Sequence, residues 1–232
     1  MSRTKGIILF RSDDLNGAIS EVILNSISRK GVEKVILCDS ENIDEKIKLF
    51  LDVEDYRNYS TTYIVGLRFD KKLAERIEAI IAEDEFNVVY RDHHEESLDL
   101  SKYMWGRILL RDAKGNPISS AKNLYRELIE NTHSKYIRLS ILIDMANAAI
   151  TGYTPEEDEA GKQMIEELYS LAGSSENFAK SMSAKIQSND AFFNEEDILA
   201  RIEAERKARE EEEAKLRELK EKLNRNKKKS LW

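Results

Sequence analysis

Two of the chain's three histidines, His93 and His94, stand side by side behind Asp92 in the stretch VVYRDHH at 88–94. The third is His133. Neighbouring side chains at a strand end leave in different directions, so one imidazole can hold a cation while the other faces a substrate. Two further loops carry residues suited to chemistry. FRSDDLNG at 10–17 supplies Asp13 and Asp14, and VGLRF at 65–69 contains Gly66. Carboxylates with imidazoles and no thiolate suit Mn2+, Mg2+ or Zn2+. A pair of such ions can hold a phosphoryl oxygen and activate water. Each fragment also has a plainer reading: Asp13-Asp14 as turn chemistry, and a histidine as a packed or exposed residue.

Residues so far apart meet only if a fold gathers them. Residues 6–10, 35–38, 63–67, 87–90 and 105–110 are short, mainly apolar runs that read as strands. Between them, 18–29, 43–51 and 71–82 read as helices. In the first, Ile19, Val22, Ile23 and Ile27 share one face, and Gly31 ends it. The alternation predicts an α/β fold with a mainly parallel sheet flanked by helices. All three loops then follow strands at their carboxyl ends, the edge where such sheets bind ligands. From residue 118 the pattern turns helical, over 119–131, over 135–150, and in a third run opened by Thr154 and Pro155 and stopped at Gly173.

A chain of 232 residues holds one α/β domain, placed at 1–190, and a charged helical tail at 191–232. The formal net charge of −7 excludes a generally basic nucleic-acid binder, so any such contact must be local. One cysteine, Cys38, excludes an intrachain disulfide and a thiolate metal site; within VILC it reads as a small core residue. No signal peptide is evident, and no apolar run approaches the ~18–20 residues that span a bilayer. The expectation is a cytoplasmic protein with no membrane partner. Residues 195–225 lack Gly and Pro and are dominated by Glu, Lys, Arg, Ala and Leu, which specifies a long helix. Ile198, Ile202, Leu216, Leu219 and Leu223 fall near heptad spacing, but Glu205 and Arg209 interrupt the seam. A solvated helix docked by its ends is therefore favoured over a continuous coiled coil, and the basic NRNKKKSLW end is expected to fray.

Asp92-His93-His94 behind an apolar strand resembles the motif that names the DHH phosphoesterase superfamily. The order of elements is similar too. Members open with a strand, His-x-Asp-x-Asp-Gly and a helix; here ILF precedes Ser12-Asp13-Asp14-Leu15-Asn16-Gly17. A strand ending in a V-D-L-like triplet follows, here Val65-Gly66-Leu67, and then the DHH run. Ser119-Ser120 resembles the later Ser-rich helix start, and Asp144 in LSILIDMANA the late ligand Asp. The resemblance covers roughly residues 6–190, and FFNEEDILARIEAERKAREEE looks like the helical stretch that follows in oligoribonuclease-like members. Their separate C-terminal substrate domain is expected to be missing. The superfamily contains single-strand exonucleases, oligoribonucleases, cyclic-dinucleotide phosphodiesterases and inorganic pyrophosphatases.

Carried over residue by residue, the resemblance implies metal ligands at Asp14, His93 and Asp144, with His94 facing the scissile phosphate and Asp92 setting the histidine geometry. Three positions depart from it. Ser12 replaces a His, Asn16 replaces the second Asp, and Gly66 replaces the Asp that bridges two metals. Asn16 can still ligate through its carbonyl oxygen, so Asn16, His93 and Asp144 would hold one divalent metal weakly, Mn2+ first, or none. A less favoured alternative is that Asp13 or Asp70 substitutes for lost ligands by a local shift. Arg11, Arg68 and Arg91 flank the strand ends and, if they point in, would serve as fixed phosphate ligands. The favoured expectation is a phosphoesterase-like protein with a degenerate two-metal site, binding a nucleotide or short nucleic acid with weak or no hydrolysis. The alternatives are an active Mn-dependent phosphodiesterase, a scaffold that recruits a protein partner or dimerises through 195–225, and a plain α/β domain that retains no site.

Overall fold

The apolar run of β1 (Ile7–Ser12) ends where Asp13 and Asp14 begin, and Asp14 starts the next element. In the computed structural model, which describes residues 5–28, 31–83, 86–130, 137–153, 159–188 and Arg217, Asp14 caps α1 (Leu15–Ile27). Its Oδ1 accepts the Gly17 N–H at 2.8 Å, so the helix begins three residues before the expected Ala18. Gly17 is required there, because a Cβ would lie 2.1 Å from the Ser12 carbonyl oxygen. The chain continues through β2 (Val32–Cys38), α2 (Ile43–Asp52), β3 (Thr61–Val65), α3 (Lys71–Glu83), β4 (Val88–Asp92) and β5 (Gly106–Ile108). Short 3-10 turns at Asp55–Asn58 and Glu95–Lys102 lead into β3 and β5. Four helices follow: α4 (Ser120–Glu130), α5 (Ile137–Thr151), α6 (Glu159–Ala172) and α7 (Ser175–Ser188). The composition pattern did not mark α7 or either 3-10 turn.

The five strands form one parallel sheet in the order β2-β1-β3-β4-β5. The expected α/β architecture of a parallel sheet flanked by helices is therefore present. Side chains alternate across the sheet. Ile8, Phe10, Ile64, Val88 and Tyr90 point to one face and join α2, α3 and both 3-10 turns in one apolar cluster. Leu9, Tyr63 and Val65 occupy the alternate positions, and α1, α4, α5 and α7 pack together as the other group of helices. Burying each Ile, Leu or Phe of these faces contributes about 1.5–3 kcal/mol.

The chain divides into two compact units, Met1–Phe192 and Phe193–Trp232. The sheet and its helices belong to the first. The long helix expected over 195–225, its partner role and the opening of the helix at Thr154-Pro155 lie outside the described residues. Among the described residues, no helix is long and apolar enough to cross a membrane.

Cys38 ends the edge strand β2 and is buried. Burial pushes its thiol up to about 11, against a smaller pull from the Lys46 charge. Thiolate is the reacting form, so labelling by an aromatic disulfide at mildly alkaline pH should be at least ~100-fold slower in the native protein than in denaturant. Equal rates in the two conditions would contradict the buried placement.

Candidate functional site

The strand order reverses direction between β1 and β3. From β1 the chain crosses to β2 on one side, and then returns past β1 to lay down β3, β4 and β5 on the other. Such a reversal opens a crevice beyond the carboxyl ends of the two strands it separates. The loops at 12–14, 66–70 and 92–94 all follow strand ends on this edge.

Asp92 closes β4 and is fully buried. Five donors converge on it. Oδ1 accepts the His93 N–H at 2.8 Å, His94 Nδ1 at 2.8 Å and Ser120 Oγ at 3.2 Å. Oδ2 accepts the Tyr90 hydroxyl at 2.9 Å and the Ser97 hydroxyl. Burial would push this carboxyl up, but the hydrogen bonds from His93, His94 and Ser97, with the His94 charge, hold it well below the usual carboxylate range. Tyr90 is pushed up, first by burial and then by the Asp92 charge, so it stays a neutral donor. The hydrogen bond to Asp92 raises His94, with partial burial opposing and the charges of Asp92, Glu96 and Asp14 adding to the rise.

His93 is oriented through a hydroxyl. Its Nδ1 lies 2.7 Å from Ser120 Oγ, whose single proton goes to Asp92. His93 Nδ1 must therefore donate to Ser120, which leaves the lone pair on Nε2. The two imidazoles do not diverge as expected. Their centroids are 4.0 Å apart with planes inclined at 44°. The reason is that both Nδ1 atoms lean toward Asp92 Oδ1, at 2.8 Å for His94 and 3.7 Å for His93. One potential ligand atom from each of Asp92, His93 and His94 lies within 4.8 Å of the other two. The Asp92 oxygens are already filled by donors, so His93, through Nε2, is the group of this cluster left to hold a cation.

Asn16, expected as a ligand through its carbonyl oxygen, is committed elsewhere. It is buried, and its Oδ1 accepts the Ala121 N–H at 3.0 Å, tying α1 to the start of α4. Its Nδ2 faces Gly66, which has a φ of +70°. A Cβ on Gly66 would stand 2.6 Å from that Nδ2 and 3.5 Å from Ser120 Oγ. A carboxylate at 66 and an amide at 16 therefore compete for one space, and here the amide fills it.

The other expected residues separate into two groups. Asp14 is exposed, and its charge reaches His94. Its Oδ1 takes the Gly17 N–H and the Ser12 hydroxyl, while Oδ2 has no partner among the described residues. Arg68 is exposed and near enough to pull the Tyr90 hydroxyl down. These two stay at the edge. Asp144 does not join the histidines: it is half-exposed on α5 and pairs with Lys122 of α4 at 3.0 Å. Arg11 and Arg91, expected as phosphate ligands, are buried in ion pairs instead. Both occupy alternate positions to Phe10 and Tyr90, so they point to the opposite face. Arg11 pairs with Glu21 of α1, and Arg91 with Glu127 of α4. Asp13 accepts the Ser175 hydroxyl, and Asp70 accepts the Lys72 N–H at the start of α3, so both serve local structure. The supporting residues Tyr90, Ser97 and Ser120 were missed as site residues. Tyr90 carried a signal, since it lies two residues before Asp92 and so shares its face of the strand, and Ser120 carried one as part of the Ser119-Ser120 helix start; Ser97 carried none.

Fold and site together define a doubly wound α/β protein with an orienting carboxylate and two imidazoles at its carboxyl edge. No family model and no curated protein matches the chain. Among solved structures it is similar to an uncharacterized protein from Helicobacter pylori G27, at 14% identity and a TM-score of 0.57, over 79% of this chain and 56% of that one. It also aligns with exonuclease RecJ bound to manganese, at 14% identity and a TM-score of 0.42, over 93% of this chain and 65% of that one. The chain spans less than two thirds of the length of either. The likeness to the Helicobacter pylori protein is one of fold.

Proposed function

We propose that the chain binds a phosphate-bearing ligand, a nucleotide or short oligonucleotide, at the carboxyl edge of its sheet and hydrolyses it weakly or not at all. The observation that carries this reading is the Asp92-centred network that orients two imidazoles at the carboxyl edge, beside Gly66, whose side-chain space the Asn16 amide takes. His93 Nε2 and Asp14 would hold one divalent ion, Mn2+ first. Such an ion would supply charge that polarises a phosphoryl oxygen. Asp92 fixes the ring orientations, His94 places positive charge at the edge, and exposed Arg68 is the arginine left to meet a phosphate. With Asn16 and Gly66 offering no carboxylate, a second ion has too few charged ligands. The cytoplasm remains the proposed setting.

The test is an Mn2+ titration of the purified chain with a ribodinucleotide, alongside hydrolysis of a chromogenic phosphodiester. The expected result is at most one ion per chain, saturable dinucleotide binding that His94→Ala weakens at least ~10-fold, and no turnover above background. Two bound ions with turnover that His93→Ala abolishes would overturn it in favour of an active phosphodiesterase.

A further inference from the structure

Asp144, which does not join the histidine site, lines a separate cleft with its partner Lys122. Its volume is about 460 Å3, within the ~300–1,000 Å3 typical of small-molecule sites. Lys122 and Arg126 stand four residues apart on α4, Asp144 lies on α5, Tyr153 follows α5, and the 112–117 turn closes the side with Lys114 and Asp112. The two acids are not equivalent. Asp112 is consumed by its own turn, accepting the N–H groups of Lys114 at 2.8 Å and Asn116 at 2.9 Å. Among the described residues Asp144 pairs with Lys122 at 3.0 Å, and both side chains are partly exposed, so that pair exchanges readily with a ligand.

We infer that this cleft is a binding site for a nucleoside monophosphate. The lining carries three cations, Lys114, Lys122 and Arg126, against two acids, and Asp112 has its carboxylate turned to its own turn, which favours an anion of phosphate type. Asp144, released from Lys122, is suited to accept from the vicinal hydroxyls of a ribose, the role carboxylates fill in nucleotide sites. Tyr153, exposed at the rim, offers a ring face for a base. Lys122, Asp144 and Tyr153 thus match phosphate, sugar and base in turn. This site shares no residue with the histidine edge and does not rest on the reading given to it.

The experiment is titration of the full chain with adenosine 5′-monophosphate, inorganic phosphate and adenosine as separate probes, followed by calorimetry. The monophosphate should bind more tightly than either fragment. Lys122→Ala and Arg126→Ala should each weaken it about 10-fold. Tyr153→Ala should weaken the monophosphate and leave inorganic phosphate unchanged. The exposed charge reversal Lys114→Glu provides a variant that leaves the helix packing alone and should also lose affinity. Absence of saturable binding, full affinity in Lys122→Ala and Lys114→Glu, or loss of binding in His93→Ala would each overturn the assignment. The last result would move the nucleotide to the histidine edge.

Discussion

Asp92→Ala should unfold at markedly lower urea than the parent chain, with a loss of about 3–5 kcal/mol. The size follows from what the substitution strands. Tyr90, Ser97 and Ser120 are fully buried, and each aims a hydroxyl at this carboxylate. Removing the acceptor leaves those donors unpaired in the interior, where each costs about 1–3 kcal/mol before relaxation. Asp92→Asn keeps the shape but places an amide NH2 against donors on one side, so it should cost less than Ala and still well over the ~0.5 kcal/mol of a neutral surface change. A midpoint for Asp92→Asn equal to that of the parent would show that the five donors are not held by this group. The imidazoles should also lose their fixed orientation, and Mn2+ affinity should fall about 10–100-fold.

The same residue sets an acid limit. Its folded pKa is depressed, so its stabilisation is complete above the ordinary carboxylate value of about 3.9 and is lost as pH falls toward the folded value. His94 is raised, so its contribution is complete below the ordinary imidazole value of about 6.5 and is lost as pH rises through its elevated folded value. The pair is strongest in the window between these limits. Urea midpoints measured across pH should fall on the acid side in the parent chain, and that fall should be shallower in Asp92→Asn.

Much of the sheet was readable because its central strands β1, β3 and β4 are largely buried on both faces and appear as mainly apolar runs. That same burial hid the direction of the polar residues within them. Arg11 and Arg91 each stand between an apolar run and the polar loop that follows it, so composition did not distinguish a site-facing arginine from one sunk beneath helices. Position parity held the answer: each arginine is one residue removed from Phe10 or Tyr90, and so faces away from Asp92. Helix α7 escaped notice because SENFAKSMSAKIQS mixes serines with a sparse apolar set, yet Phe178, Ala179 and Met182 are buried. The Asp92-His93-His94 cluster was legible from local order alone. Ser120, 28 residues beyond Asp92, reaches it only through tertiary packing of α4. The choice of the Asn16 amide over a carboxylate at 66 is likewise a contact between loops, visible in the sequence only as two substitutions without their shared cause.

Arg11→Met should cost about 3–5 kcal/mol, while Arg11→Met combined with Glu21→Met should recover most of that loss. Arg11 has no exposed surface, and its Nε donates to Glu21 Oε2 at 2.9 Å with Nη2 2.8 Å from the same oxygen. Its Nη1 reaches the Ser12 carbonyl at 3.0 Å and Ser175 Oγ at 2.9 Å, so one guanidinium joins β1, α1 and the start of α7. Burial already pushes the Glu21 carboxyl up, and the Arg11 charge is what opposes it. With Arg11 gone, Glu21 must take up a proton or draw in water, and α7 loses its tie to the strand. Replacing both partners by apolar side chains removes the stranded charge along with the pair, which is why the double variant should be close to the parent in urea. A phosphate-binding arginine would behave differently. Its loss would weaken ligand binding with little change in folding, and the second substitution would restore nothing. Equal stability of Arg11→Met and the parent would therefore return Arg11 to the list of ligand contacts. A double variant as unstable as the single one would show that Ser175 and the Ser12 carbonyl, rather than Glu21, set the cost.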